Sequence, residues 1–245
     1  MIGELEHSVA ARWARAGVLL NVAPARQTPD LERLILDTAE CIPSSPRLFS
    51  LAASWLTRYC RLVARHRLAR MTAGTGDPHA LAVLGLLLDT VRKESGTESL
   101  DAEIACCRPA PRGMPLFGVD RSSPALAERI RKRASRLSRR WNLWADPVEW
   151  RWDVIRPVAW VLQRNPSFRT RAIFHGGLRA SVLACLEHDR PGGASEAELA
   201  RLCGVTRKAV HEAVDHLEFC GLAARRRAGR CYAVTQSLPP LRSAG

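Results

Sequence analysis

The sequence predicts a mainly α-helical protein, with a helical N-terminal domain and a C-terminal module of three helices and a short β-hairpin. Apolar residues recur at three- and four-residue spacing through most of the 245 residues, which is the period of amphipathic helices. Period-two alternation is limited to short stretches, one of them near the C-terminus. Capping residues and Gly- or Pro-containing breakers separate the helical segments.

The composition is typical of a globular protein and argues against a disordered or membrane-spanning chain. Apolar residues make up 47% and charged residues 25%. The longest apolar run, 80–88, ends at Asp89 and is well short of the roughly 18 residues that a span requires. Glu4 and Glu6 stand where a signal peptide carries positive charge. These features predict a soluble, cytoplasmic protein with no membrane contact.

Four regions are predicted along the chain. Residues 1–106 form a helical domain that dimerises or binds a protein partner, because its helices are strongly apolar and its charges nearly balance. Residues 107–123 are rich in Pro and Gly and are predicted to be a linker. Residues 124–173 are a basic, Trp-rich connecting segment. Residues 174–238 form the C-terminal module.

Positive charge is the first indication of function. Lys and Arg total 37 against 24 acidic residues, a net charge of +13, although 34 of the 37 are Arg and could reflect a GC-rich genome. Seven basic residues lie within 129–140, and five tryptophans follow. The segment 149–153 alternates as a short strand would, with two rings on one face. The rings are either core with the arginines as a solvated face, which is favoured, or part of a nucleic-acid surface.

The eight cysteines do not form a recognisable metal site. No pair has the spacing of a structural zinc site, so no metal and no cofactor are expected. Cys185, Cys203 and Cys220 fall on the apolar faces of predicted helices. The adjacent Cys106 and Cys107 could bind a soft metal or sense oxidation, although ordinary thiols are the favoured interpretation.

The C-terminal module contains closely spaced helix signals. Ser195 precedes Glu198 by three residues, which is a capping box that begins a second helix. Gly204 provides the positive φ of a tight turn between helices. Thr206 then caps a third helix, which ends before Gly221. Two extended segments within 222–234 follow, with a turn at 228–229.

These residues together resemble a winged helix-turn-helix domain of bacterial transcription regulators, over residues 174–235. Ala200 allows a close helix crossing and Gly204 makes the turn. The resemblance also includes a Leu-x-x-x-Gly-Leu exit that begins at Leu217 and leads to the wing. The apolar positions of the motif are occupied by Leu199, Cys203, Val205, Val210 and Ala213.

The resemblance implies which side chains would contact DNA. The third helix, 206–220, would read the major groove, and the wing, 222–234, would contact the backbone or minor groove. Arg207 has the fork that pairs with guanine, and Lys208 is a point donor. The implied DNA-binding residues are Thr206, Arg207, Lys208, His211, Arg225, Arg226, Arg227 and Arg230. Three carboxylates on the third helix, Glu212, Asp215 and Glu218, oppose this interpretation.

The sequence therefore predicts a homodimeric regulator that binds double-stranded DNA, with repression as the expected mode. The alternative is an antitoxin-like or adaptor protein, in which the module and residues 1–173 contact another protein. Enzyme activity is not expected, because no nucleophile elbow, phosphate-binding Gly loop or paired metal-binding carboxylates were found. The loop 74–76 lacks the Lys of a phosphate-binding loop.

Overall fold

A computed structural model of the chain describes residues 2–96, 100–228 and 231–237. It is mainly helical, as the sequence predicts, with a small antiparallel sheet near the C-terminus. The α-helices are α1 (Ile2–Ala16), α2 (Leu31–Cys41), α3 (Pro46–Tyr59), α4 (Arg65–Ala73), α5 (Pro78–Ser95), α6 (Asp101–Ala105), α7 (Pro124–Arg133), α8 (Arg136–Arg140), α9 (Val158–Arg164), α10 (Ser167–Ile173), α11 (Leu178–Ala184), α12 (Glu196–Cys203) and α13 (Arg207–Phe219). The strands are β1 (Met114–Pro115), β2 (Leu143–Trp144), β3 (Ala223–Ala228) and β4 (Cys231–Gln236). Within the described ranges, no helix combines the length and apolar character that crossing a membrane requires.

The chain divides into two compact units, each built from separate pieces of sequence. The N-terminal unit contains residues 1–29, 33–60 and 72–157, and the C-terminal unit contains residues 30–32, 61–71 and 158–245. This grouping differs from the sequence-based boundaries, since residues 107–157 belong with the N-terminal part. The C-terminal unit also includes two short segments from the first third of the chain.

Tryptophans organise the core of the N-terminal unit. Trp13 and Trp55 are fully buried, and their rings meet edge to face at 5.3 Å. The Trp13 indole N–H donates to Thr38 Oγ1 at 2.8 Å, and that of Trp55 donates to the Ala16 carbonyl at 2.9 Å. Each ring therefore buries a large apolar area while its polar atom stays paired.

Residues 107–123 are a packed part of the N-terminal unit, which corrects the predicted linker. Strand β1 pairs with β2 in a short parallel ladder, and Leu116 is fully buried. Pro and Gly keep the regular elements of this stretch short, but they do not prevent its apolar side chains from entering a core.

The predicted strand at 149–153 is wrong. Trp152 begins a 3-10 turn, Trp152–Val154, and no strand includes these residues. The rings of Trp150 and Trp152 nevertheless share one side, stacked at 5.2 Å with an interplanar angle of 9°.

Helices α11, α12 and α13 and the β3–β4 hairpin enclose the core of the C-terminal unit. Four of the predicted apolar positions, Leu199, Cys203, Val210 and Ala213, are buried, and Val205 is partly buried against them. The other buried side chains of these helical segments are Val182, Leu183, Leu186, Ala200, Val214 and Leu217. Val234 on β4 adds to this core and exchanges two backbone hydrogen bonds with Ala194. Cys220 corrects one expectation, because it is exposed rather than on an apolar face.

Candidate nucleic-acid interface

The connection between α12 and α13 is set by three local features. Ser195 Oγ accepts a hydrogen bond from the Glu198 amide at 3.2 Å, which caps the start of α12. Gly204 has a φ of +67°, a conformation that glycine adopts without strain, and it ends α12. Thr206 Oγ1 accepts from the Ala209 amide at 3.2 Å and caps α13. The predicted caps and turn are confirmed.

The start of α13 presents basic side chains to solvent. Arg207 is 75% exposed, and its Nε lies 3.7 Å from Glu196 Oε2, which is too long for a hydrogen bond. Lys208 is also exposed. His211 is 56% exposed, with Nδ1 at 3.0 Å from Glu196 Oε1. The capped end of α13 thus combines an accessible guanidinium, an ammonium and an imidazole.

Arg225 has a different environment from the one the sequence suggested. Its side chain is only 19% exposed, and it contacts carboxylates on both α12 and α13. Nη2 lies 2.8 Å from Glu196 and 2.7 Å from Asp215, and Nη1 pairs with Glu218. We call Arg225, Glu196, His211, Asp215 and Glu218 the Arg225 cluster. The cluster joins the hairpin to two helices.

Contacts within the Arg225 cluster favour the charged forms of Arg225 and Glu196. Burial alone would lower the pKa of Arg225, but hydrogen bonds to the three carboxylates outweigh it and raise the pKa. Burial would likewise raise the pKa of Glu196, yet hydrogen bonds from His211 and Arg225 lower it. The negative charges of Asp215 and Glu218, which oppose DNA binding, are therefore partly compensated by the guanidinium of Arg225.

The hairpin separates its arginines onto two faces. Arg225 pairs across the ladder with Val234, Arg226 with Ala233, and Arg227 with Tyr232. Cross-strand partners share a face, so Arg225 and Arg227 lie on the face of the buried Val234, while Arg226 lies on the opposite face. Both Arg226 and Arg227 are exposed. The predicted contact Arg230 and residue 229 of the predicted turn lie outside the described residues.

Sequence reasoning overlooked two members of this site, Glu196 and Tyr232. Glu196 reads as an ordinary acidic residue in the first turn of a helix, where it complements the helix dipole. Tyr232 is 66% exposed and stands opposite Arg227. Packing of α12 against α13 brings Glu196 to Arg207, and the hairpin adds Tyr232 to the cavity that Arg207 also lines. Neither arrangement is encoded by a local sequence pattern.

The basic segment 129–140 in the N-terminal unit makes many internal interactions. Arg131 pairs with Glu128 at 2.7 Å, Arg133 with Asp146 at 2.9 Å, and Arg140 with Asp89 at 3.3 Å. Arg139 donates to backbone carbonyls at the end of α7. Trp141 is buried. The segment therefore offers less unpaired positive charge than its sequence suggests.

No group of three or more His, Cys, Asp or Glu in the described part of the chain could hold a metal ion. Cys185 and Cys203 are free thiols in the core, with their sulfur atoms 3.8 Å apart. Their hydrogen bond and their burial raise the pKa of Cys185. Comparisons of the chain with protein-family models, curated proteins and solved structures found no match.

We expect Arg225→Met to loosen the hairpin and to lower the free energy of unfolding by about 1.5–3 kcal/mol, the range for hydrogen bonds to charged groups. The variant keeps the apolar stem but leaves Glu196, Asp215 and Glu218 without their shared cation. Urea unfolding and amide exchange of β3 and β4 measure the effect. Arg226→Met, on the opposite hairpin face, is the matched control and should change little. Equal effects of the two variants would contradict the assigned role.

The same cluster predicts a pH dependence. Folding lowers the pKa of Glu196. The stabilisation that Glu196 contributes to the folded state is therefore fully present above its unfolded-state pKa of about 4.3, and it is lost as the pH falls through its folded-state pKa. The stability difference between wild type and Arg225→Met should therefore shrink in acid. Unfolding titrations at neutral and acidic pH test this, and a constant difference would contradict it.

Proposed function

We propose that this chain is a double-stranded DNA-binding transcriptional regulator of the bacterial cytoplasm, with repression as its mode. In this proposal residues 174–238 are a winged helix-turn-helix domain, α13 is the recognition helix, and the hairpin is the wing. The order of α11, α12, the Gly204 turn, α13 and hairpin supports this assignment. The 13 residues of α13 span about 20 Å, and a B-DNA major groove about 12 Å wide admits such a helix.

The observation that carries the proposal is the set of accessible basic groups at the start of α13. Arg207 is 75% exposed and lacks a close partner, so its guanidinium can form two hydrogen bonds to guanine without first breaking a strong ion pair. Lys208 beside it can donate to a base or a phosphate. Thr206 at the helix N-terminus suits a phosphate oxygen.

Arg226 and Arg227 complete the proposed contact surface from the wing. Both are exposed on a strand that Arg225 fixes against α13. Their role is to neutralise phosphates, which contributes affinity but carries no sequence information. Arg225 then acts as a positioning residue, because its guanidinium is already occupied by carboxylates.

Selection of genomic DNA tests this proposal against the adaptor alternative. Purified full-length protein is mixed with sheared genomic fragments, and bound fragments are sequenced. We expect enrichment of a shared palindrome, since a symmetric dimer reads two related half-sites. Random fragments, or no bound DNA, would favour a protein that acts only through protein contacts.

We also expect a homodimer in solution, because one helix in one groove buries little surface and two symmetric half-sites double the contacts. The strongly apolar, nearly neutral residues 1–100 are the proposed source of the dimer face. Light scattering of the protein, free and bound to DNA, measures its mass. A stable monomer in both states would contradict this prediction.

A further inference from the structure

A cavity of about 590 Å³ lies within the C-terminal unit, between the start of α12, the start of α13 and one face of the hairpin. This volume falls in the range of small-molecule sites, about 300–1,000 Å³. Its apolar wall includes Ala197, Tyr232 and Val234, and its polar groups include Glu196 and Arg207. The cavity thus opens on the same surface that is proposed to contact DNA.

The apolar wall is suited to a flat ring. Val234 is buried and forms the bottom of the cavity. Tyr232, two residues earlier on the same face of β4, is 66% exposed. An exposed tyrosine ring beside a cavity provides a stacking surface for another aromatic ring. An aromatic ligand would cover this ring and displace water from it.

The polar groups favour an anion. Glu196 Oε1 accepts hydrogen bonds from His211 Nδ1 at 3.0 Å and from Arg225 Nε at 2.9 Å, so its charge is already compensated. Arg207 differs, because its nearest carboxylate oxygen is 3.7 Å from Nε. Its guanidinium therefore retains the donors that carboxylate, sulfonate or phosphate groups accept.

We propose that this cavity binds a flat aromatic anion, with the ring against Tyr232 and the anionic group on Arg207, and that the bound ligand competes with DNA. The ligand-binding part stands on the cavity alone. The competition rests on the proposed function, since both ligands would require Arg207. A small aromatic acid and a nucleotide both have an aromatic ring and an anionic group. The displacement experiment below distinguishes these two classes of ligand.

The test uses 1-anilinonaphthalene-8-sulfonate as a fluorescent probe of the full-length protein without DNA. We expect saturable binding that is displaced by 2-naphthoate or by adenosine 5′-monophosphate, and not by the neutral 2-naphthamide. Displacement by only one of the two anions identifies the source of the ligand. Arg207→Gln and Tyr232→Ala should each weaken binding about tenfold, a factor that corresponds to one good interaction.

Arg201→Gln is the matched control, because Arg201 is 61% exposed on α12 and lies outside the cavity lining. It should bind the probe as wild type does. Absence of saturable binding would overturn the proposal, as would equal affinity of wild type, Arg207→Gln and Tyr232→Ala. Displacement by 2-naphthamide as strongly as by the anions would overturn the assignment of an anionic ligand.

A second measurement separates this inference from the proposed function. Binding of a labelled selected DNA is measured with and without a saturating concentration of the displacing anion. We expect an apparent dissociation constant at least tenfold higher with the anion present. Probe binding without any DNA binding would support the cavity and refute the regulator, whereas unchanged DNA affinity would refute the competition.

Discussion

Replacing Glu32 by glutamine is expected to lower the free energy of unfolding by about 3–5 kcal/mol, the range for removing one partner of a buried ion pair. Glu32 is fully buried in the C-terminal unit. Its Oε1 accepts from Arg171 Nη1 at 2.9 Å and from the Ala64 amide at 2.7 Å, while Oε2 accepts from Arg67 Nη1 at 2.9 Å. Glutamine keeps the shape but leaves two buried guanidinium groups without this charge.

Glu198→Gln is the matched control, because Glu198 pairs with Arg190 and Arg201 in the same unit but is 30% exposed. It should cost less than about 1 kcal/mol, as exposed ion pairs do. Urea unfolding followed by circular dichroism measures both variants. Equal costs would contradict the view that the Glu32 network holds the separate segments of this unit together.

The second large effect is expected in the N-terminal unit, where Trp141→Ala should cost about 3–5 kcal/mol. Trp141 is 3% exposed, and its indole N–H donates to the buried Asp89 at 2.9 Å. Its ring lies directly over Gly85, where a Cβ atom would come within 2.2 Å of the ring. The substitution therefore opens a cavity and removes one partner of a buried carboxylate.

The complementary change, Gly85→Ala, should cost about 1–3 kcal/mol through overpacking. Combined with Trp141→Ala it should cost less than the sum, because the cavity accommodates the added methyl group. Trp152→Ala is the control, since Trp152 is 42% exposed and stacks only at the surface. Urea unfolding of the two single variants, the double variant and the control measures the coupling energy between positions 85 and 141. Additive losses in the free energy of unfolding would contradict contact between Trp141 and Gly85.

Local signals predicted the C-terminal helices well. Ser195, Gly204 and Thr206 act on backbone groups within a few residues of themselves, so their effect can be read directly from sequence. Burial of Val210 and Leu217 likewise follows from helical periodicity. The mainly helical class and the position of the hairpin follow from the same local rules.

Non-local pairing could not be predicted in this way. Glu32, Arg67 and Arg171 come from three separate segments, and no spacing rule connects them. Arg225 read as a DNA contact because it belongs to a run of three arginines, yet the hairpin register directs it toward Glu196 and Asp215. The sequence therefore identified the candidate surface but not the residues that position it.

Titration of DNA binding at several salt concentrations tests the central claim most directly, with Arg207→Ala and Arg226→Ala each measured on selected and scrambled DNA. Arg207→Ala should cost about 1–3 kcal/mol on the selected site and much less on scrambled DNA, because its proposed role is to read a base. Arg226→Ala should weaken binding to both alike and reduce the salt slope by about one ion. If both variants bind both DNAs as wild type does, α13 and the hairpin are not the DNA-binding surface.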